Sequence, residues 1–200
     1  MEDRDLAAAA AKGDQEAFTR LVERHRVFIY AIAYKIALHE DDALDITQNV
    51  MLRLVEKIGQ YRGEGPFRAW LATLASHEAI NFLSRSGHRT ERPTPAEDLE
   101  EMAAEAAGAT APRDDPREAL DRAQRRRLVE GAMTRLSPQQ RAIFALRFRE
   151  DMGPRDIAKR LGLPARQVRN QLHRAIVRLR EIVAGQDAGG ASRKKRGEPT

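Results

Sequence analysis

Apolar residues recur every three or four positions through the first third of the chain, which is the spacing of amphipathic α-helices. Asp14 can cap the first of these helices. A second helix begins near Asp41 and Asp42, and a third covers about residues 67–83, after a break at residues 61–66 that holds two glycines and a proline. The apolar positions of the first helix are Phe18, Leu21, Val22, Phe28, Ile29, Ile32 and Ile36. Those of the second are Ile46, Val50, Leu54 and Ile58, and Met51, Leu52 and Val55 are expected to widen this apolar stripe. Those of the third are Trp70, Leu71, Leu74, Ile80, Phe82 and Leu83.

The same periodicity returns in residues 117–183. Ser137 is a predicted N-cap, with Pro138 at the first helical position and Gln140 three residues after the cap. Two further helices are expected at about residues 155–161 and 165–183. The whole chain is therefore predicted to be all-α.

The last two helices have the spacing of a helix-turn-helix. Ile157 and Leu161 lie one turn apart, and Val168 and Leu172 repeat that interval in the second helix. Gly162 stands between them, where a tight turn requires a positive φ. The exposed positions of the second helix are expected to be Arg166, Gln167, Arg169, Asn170, His173, Arg174 and Arg178. Arginine and asparagine or glutamine suit bidentate contacts with guanine and adenine edges, although an arginine-rich helix face can also be merely solvated.

Charge divides the 200-residue chain into four segments. The formal net charge of +5 is the sum of −1 over residues 1–90, −6 over 91–116, +10 over 117–183 and +2 over 184–200. Residues 91–116 are rich in acids and proline and poor in large apolar residues, as expected of a flexible linker. We therefore predict two small helical domains joined by an acidic flexible linker, the second a helix-turn-helix domain with a polyanion partner, followed by a disordered basic tail.

Two stretches resemble a known family. RLSPQQR at residues 135–141, IAKRLGLP at 157–164 and QLHRA at 171–175 resemble region 4 of bacterial sigma-70-family sigma factors, most closely the extracytoplasmic-function (ECF, group 4) type. DALDITQNVMLRL at residues 42–54, and YRGE followed by FRAWL between residues 61 and 71, resemble region 2 of that family. The two resemblances occur in the family's order on either side of the acidic segment.

The resemblance implies a promoter-specificity subunit with no enzymatic activity and no cofactor. Its expected partners are core RNA polymerase, through the two largest subunits, promoter DNA and an anti-sigma factor. The implied polymerase-binding residues are Asp45, Gln48, Asn49 and Arg53. The implied minus-10 residues are Tyr61, Arg62, Gly63, Glu64, Phe67, Arg68, Trp70, Ser76, His77, Asn81 and Arg85, with Trp70 also favoured as a core residue. The implied minus-35 residues are Arg155, Arg166, Gln167, Arg169, Asn170, His173 and Arg174.

This sequence departs from the family pattern at several of these positions. Asn49 stands where the docking helix usually carries an acid, and Asn81 stands where the minus-10 reader usually carries aspartate. Ser76 and His77 replace a common arginine–asparagine pair. The family's promoter sequences therefore do not transfer to this chain. The acidic linker is compatible with two functions, a soluble spacer or a strand that mimics nucleic acid inside a basic polymerase channel.

Other function classes find little support. The chain has no cysteine, which excludes disulfides, thiolate zinc sites and a cysteine nucleophile. No phosphate-binding glycine loop, metalloprotease helix or serine-hydrolase elbow is present, and no metal site is expected. A helix-turn-helix regulator with an N-terminal sensing or dimerisation module is the alternative. Without a basic N-terminal signal or a spanning apolar run, the chain is expected to be cytoplasmic, with no membrane insertion.

Overall fold

The computed structural model describes residues 1–85 and 131–194, with side chains described up to residue 181. Within these ranges the regular secondary structure is helical, and residues 131–133 are also helical. A short 3-10 turn, Ile58–Gln60, follows the third helix. The helices are α1 (Asp3–Ala10), α2 (Gln15–Ala37), α3 (Glu40–Lys57), α4 (Phe67–Arg85), α5 (Pro138–Phe148), α6 (Pro154–Leu161) and α7 (Ala165–Lys194).

The first unit, α1–α4, is built around α2. Asp14 caps α2 as predicted, since its carboxylate accepts a hydrogen bond from the Ala17 N–H at 3.0 Å. Helices α1, α3 and α4 all pack on α2. Its apolar stripe is buried in their shared core, with Leu21, Ile29, Ile32 and Ile36 fully enclosed.

Helix α1 lies outside the pattern that predicted the other helices of this unit. Its capping box pairs Glu2 with Asp5, and its buried residues Leu6, Ala7 and Ala10 contact α2. Short alanine-rich segments are marginal helices alone, so packing on α2 stabilises α1.

The second unit, α5–α7, confirms the helix-turn-helix. The Ser137 hydroxyl accepts from the Gln140 N–H, the Gln140 side chain accepts from the Ser137 N–H, and Pro138 opens α5. Gly162 ends α6 with φ +64°, the left-handed conformation that the turn was predicted to require. The core positions Ile157, Leu161, Val168 and Leu172 are buried.

The two units pack against each other. Helix α5 lies on α2 and α4, and α6 also contacts α4, so one continuous core includes residues from both units. A second apolar cluster joins Leu38 of the first unit to Met133, Leu136 and Ala175 of the second. Leu38 has φ +61°, which is uncommon for a residue with a side chain. Burial of Leu38 among residues of the second unit accompanies this conformation.

Two features differ from the expectations. Leu52 and Val55 do not widen the buried stripe of α3, because their side chains are 66% and 61% exposed. Helix α7 continues to Lys194, into the segment predicted to be a disordered tail from residue 184. No proline interrupts residues 165–194, and extending a formed helix is easier than nucleating one.

Some expectations lie outside the described residues. They include the acidic linker at 91–116 and the last residues of the tail. Among residues 1–85 and 131–194, no helix is long and apolar enough to cross a membrane. The same residues contain no group of three or more side chains placed to hold a metal ion.

Candidate polymerase and nucleic-acid interfaces

Helix α3 presents a mixed polar and apolar face opposite its buried side. Asp45 and Gln48 are exposed on it, and Leu44, Leu52 and Val55 lie among them at helical spacing. Exposed leucine and valine at successive turns are unusual on a surface that meets only water. The face therefore has the composition of a protein-docking surface, and the apolar half of it was not anticipated from the sequence.

A groove borders this face where α3 meets α4. It joins Asn49, Leu52 and Arg53 of α3 to Arg85 of α4. Two predicted polymerase residues and one predicted minus-10 residue therefore line the same cavity, which has a volume of about 600 Å³. Arg53 is paired within the groove, at 3.0 Å from Glu56 and 3.7 Å from Glu78. Asn81 is exposed on α4.

The loop between the 3-10 turn and α4 is held in shape by its own contacts. The Tyr61 hydroxyl donates to the Gly65 carbonyl at 2.7 Å. Gly63 and Gly65 have φ values of +74° and +97°, a region that L side chains rarely adopt. Arg62 and Glu64 extend from the loop into solvent. The loop is thus a short, preformed turn that presents charged side chains.

Aromatic rings support this loop from below. The Tyr61 ring lies 5.2 Å from Phe67 and 5.7 Å from Trp70, measured between centroids. Phe67 is buried, whereas Tyr61 and Trp70 are half-buried and pack against the core. The prediction that Trp70 contributes to the core is confirmed. Of the three rings, Phe67 is the least accessible to a nucleobase in this arrangement.

Three other predicted minus-10 residues lie at or near the contact between the units. The His77 Nε2 atom is 2.8 Å from the Arg160 carbonyl oxygen. Arg68 lies 3.4 Å from Glu150 and places its guanidinium 3.9 Å from the centre of the Phe28 ring. Ser76 is fully buried, and its hydroxyl has no hydrogen-bond partner among the described residues. Ser76 is therefore inaccessible to DNA in the packed arrangement.

Glu150 is the acidic partner in that contact. Burial raises the pKa of the Glu150 carboxyl, and the positive charges of Arg68 and Arg149 act in the opposite direction. Its Oε1 atom is buried without a hydrogen-bond partner in the described part of the chain. The ion pair with Arg68 is thus incompletely satisfied.

The recognition helix, which is the first half of α7, exposes the predicted minus-35 side chains. Arg166, Arg169, Asn170, His173 and Arg174 are exposed, Gln167 is half-buried, and Arg155 is exposed at the start of α6. A groove runs from Arg166 and Asn170 to Ser137 and Gln140 at the start of α5. The Gln171 amide donates to the Gln139 side chain at 2.8 Å, and Arg178 donates to the Arg135 carbonyl at 3.0 Å. These two hydrogen bonds hold α7 against the start of its own unit. The face of α7 that carries the predicted minus-35 side chains remains exposed.

The second unit also has an exposed aromatic residue. Phe148, at the end of α5, is 57% exposed, and its ring centroid lies 4.4 Å from that of Phe144. In the sequence, Phe148 is one of several apolar residues in the stretch that forms α5. Hydrophobicity alone does not distinguish a core residue from a docking residue, so no sequence signal separated the two.

Comparisons with known proteins match both units. The model of Sigma-70 region 2 matches residues 21–90, and that of Sigma-70, region 4 matches residues 126–179. The ECF RNA polymerase sigma factor SigE of Mycolicibacterium smegmatis is 27% identical, over 92% of this chain and 69% of that protein. The RNA polymerase sigma-H factor of Pseudomonas aeruginosa is 27% identical, over 87% of this chain and 90% of that protein. The ECF RNA polymerase sigma-E factor of Escherichia coli K12 is 25% identical over 88% and 91%.

Solved structures share the fold. CnrH, in complex with the cytosolic domain of CnrY, superimposes with a TM-score of 0.59 at 24% identity, covering 92% of this chain and 97% of that one. The sigma factor RpoE of Bartonella quintana, in complex with the anti-sigma factor NepR, gives 0.57 at 18% identity, covering 84% and 96%. With two family regions matched in order, the chain belongs to the sigma-70 family of RNA polymerase sigma factors, in the ECF group, and is a non-enzymatic transcription initiation factor.

Proposed function

We propose a division of labour between the two units of this sigma factor. The first unit, placed at residues 1–90, docks on core RNA polymerase and captures single-stranded bases of the minus-10 element. The second unit, at 117–183, reads the minus-35 element as duplex DNA. The acidic segment at 91–116 joins them, and residues 184–200 form a basic extension of the second unit.

One observation carries the polymerase half of this proposal. The exposed face of α3 combines Leu44, Leu52 and Val55 with Asp45 and Gln48, on a helix whose opposite side is fully buried. Apolar side chains beside a few polar ones are typical of protein-docking surfaces. Asn49 and Arg53, which line the neighbouring groove, would complete the contact. A helix-turn-helix regulator would have no need for this face.

The DNA half rests on the recognition helix. Its early exposed residues, Arg166, Arg169 and Asn170, would reach base edges in a major groove, while Arg174 would meet phosphates further along. Exposed Phe148 at the end of α5 would give the second unit its own apolar contact with polymerase. The loop at residues 61–66 would bind the unpaired minus-10 bases in the open complex. The α4 residues that would take part are Arg68, His77, Asn81 and Arg85.

The partners and location follow from this role. Bacterial core polymerase and the chromosome share the cytoplasm, so we place the chain there. An anti-sigma factor is a further expected partner, since one of the proteins with this fold was solved bound to one. Such a partner would have to cover the α3 face or hold the two units together.

The test is reconstitution with core polymerase. The full chain should co-migrate with the core on size exclusion and should start transcripts at a discrete set of sites on a fragmented genomic library. The double variant Arg169→Ala with Asn170→Ala is the matched control, because it should keep co-migration and change the set of starts. Absence of co-migration by the wild-type chain would overturn the proposal and leave the regulator.

A further inference from the structure

A cavity of about 580 Å³ opens beside the 61–66 loop, and helix α1 forms one of its walls. Glu2, Asp3 and Arg4 line one side, and Tyr61, Gly63 and Phe67 line the other. The N-terminal helix therefore lies next to the 61–66 loop, which we propose captures a base. The sequence contained no signal for this contact, because residues 4 and 63 lie far apart in the chain.

Arg4 approaches the loop backbone closely. A Cβ atom built at Gly63 would lie 2.9 Å from the Arg4 Nε atom. Gly63 thus leaves room for the guanidinium to lie against the turn, besides supplying the positive φ of +74°. The Arg4 side chain is exposed on its other side, so its donors face the cavity and solvent.

Asp3, the neighbour of Arg4, fixes α1 in this position. Its two carboxylate oxygens lie 2.9 Å from His25 Nε2 and 2.6 Å from Arg24 Nη1. His25 is buried, and its ring centroid is 5.3 Å from that of Phe67. The contact chain from Phe67 through His25 to Asp3 therefore holds Arg4 at the cavity.

The Arg4 guanidinium has no polar partner among the described residues. Within residues 1–85 and 131–194 it forms no ion pair or hydrogen bond, unlike Arg24 and Arg68, which line the same cavity. A guanidinium presents several N–H donors in a rigid planar fork and no acceptor. It matches a ligand edge with two neighbouring acceptors.

We propose that Arg4 determines base specificity in this cavity, selecting an unpaired base with two adjacent acceptors. This rests on the proposed capture of a minus-10 base by the 61–66 loop. Guanine offers N7 and O6, and cytosine offers N3 and O2. Adenine places an amino donor beside its ring acceptors, and thymine places an N–H donor between its carbonyls. In both bases a donor would therefore face one of the N–H donors of the Arg4 guanidinium.

The experiment uses the holoenzyme and fork-junction DNA taken from a promoter that the chain initiates. Each unpaired minus-10 position of the non-template strand is varied through all four bases, and affinity is measured by competition. The wild-type holoenzyme should prefer guanine or cytosine at one position by roughly tenfold to hundredfold. Comparing these two bases identifies which edge the fork reads.

Three variants separate selection from general charge. Arg4→Ala should reduce the preference at that one position to less than about threefold and leave the other positions unchanged. Arg4→Lys should retain most of the affinity and lose most of the preference, because it keeps the charge without the fork. Lys12→Ala, which removes an exposed cation just beyond α1, should leave the base preference intact.

Two results would overturn the inference, and they differ. If the wild type prefers guanine or cytosine at a position and Arg4→Ala preserves that preference, Arg4 is not the determinant, while base capture by the loop stands. If the wild-type holoenzyme shows no base preference at any unpaired position, base capture by the first unit fails as well.

Discussion

The Nε2 atom of His77 lies 2.8 Å from the backbone carbonyl oxygen of Arg160, a hydrogen bond that joins α4 of the first unit to α6 of the second. The Arg68–Glu150 ion pair is a second contact between the units, nearer the start of α4, and the residue before His77, Ser76, has a buried hydroxyl. The residues implied to read the minus-10 element and the helix preceding the recognition helix are therefore in contact. We expect this contact to open if both units read promoter DNA as proposed.

Replacing His77 tests that relationship. His77→Ala removes the interunit hydrogen bond, and the units should separate more often because a net hydrogen bond contributes about 0.5–1.5 kcal/mol. Single-molecule energy transfer between dyes at Thr19 and Asp151, both exposed, would report a larger population of separated units. His77→Gln retains an N–H donor and should stay closer to the wild type. Identical distance distributions for all three chains would contradict the role of His77.

The sequence predicted well where the determinants of structure are local. Asp14, Ser137 and Gly162 act within three residues of themselves, so their roles as caps and as a turn residue follow from composition and spacing. The exposed face of the recognition helix could be predicted for the same reason. The apolar residues Val168 and Leu172 mark its buried side, and the opposite side then faces solvent.

The rest depended on contacts between distant residues. An apolar repeat does not reveal whether a neighbour covers it, so Leu52 and Val55 were assigned to the core although both are exposed. Packing of α1 on α2, and the place of Leu38 in the cluster between the units, depend on residues far away in the chain. Arg4 is the clearest case, since its position results from the Asp3–His25 contact.

Leu52→Glu tests the docking face of α3. Because the side chain is already 66% exposed, the substitution should leave the free energy of unfolding within about 0.5 kcal/mol. It should weaken core polymerase binding by at least tenfold, because apolar anchors at the centre of an interface often contribute more than 1 kcal/mol. Fluorescence anisotropy with labelled chain measures the affinity.

The control for this docking test is Thr19→Glu, an equal charge change at an exposed position of α2. It should bind the core as the wild type does. Equal affinity of Leu52→Glu and Thr19→Glu would place the docking surface elsewhere.

Separate substitution of Arg169 and Asn170 tests direct readout of the minus-35 element. Each alanine variant should lose about 1–3 kcal/mol of discrimination at one base pair if the side chain contacts a base edge. Arg174→Ala should instead weaken all sequences alike and reduce the salt dependence, as expected for a phosphate contact. Binding to a library of minus-35 duplexes at two salt concentrations gives both quantities. Uniform weakening by all three variants would show that α7 contributes only charge.

Arg141 is a buried cation in α5 whose removal should not destabilise the chain. It is 2% exposed, its Nε and Nη2 atoms have no partner in the described residues, and burial lowers its pKa to about 10. An incompletely paired buried charge is unfavourable, so Arg141→Met should leave the free energy of unfolding unchanged or raise it by about 1 kcal/mol. Urea denaturation measures this, with exposed Arg135→Met as the control. A decrease beyond about 1 kcal/mol would mean that the Arg141 charge is stabilising.

The contact of His25 with Asp3 predicts how stability depends on pH. Burial lowers the pKa of His25, and the negative charge and hydrogen bond of Asp3 partly oppose this, while Arg24 and Arg68 add to the lowering. The folded chain therefore binds fewer protons at this site than the unfolded chain, whose histidine titrates near 6.5. Above pH 6.5 this group does not change the free energy of unfolding with pH. As the pH falls from 6.5 toward the folded-state pKa, the free energy of unfolding declines.

Urea denaturation at pH 7.5, 6.5 and 5.5 should show this decline in the free energy of unfolding, and His25→Gln should reduce the decline. Asp3→Asn removes the charge that raises this pKa, so its decline should exceed that of the wild type. If His25→Gln and the wild type lose the same stability between pH 7.5 and 5.5, the decline originates in other groups.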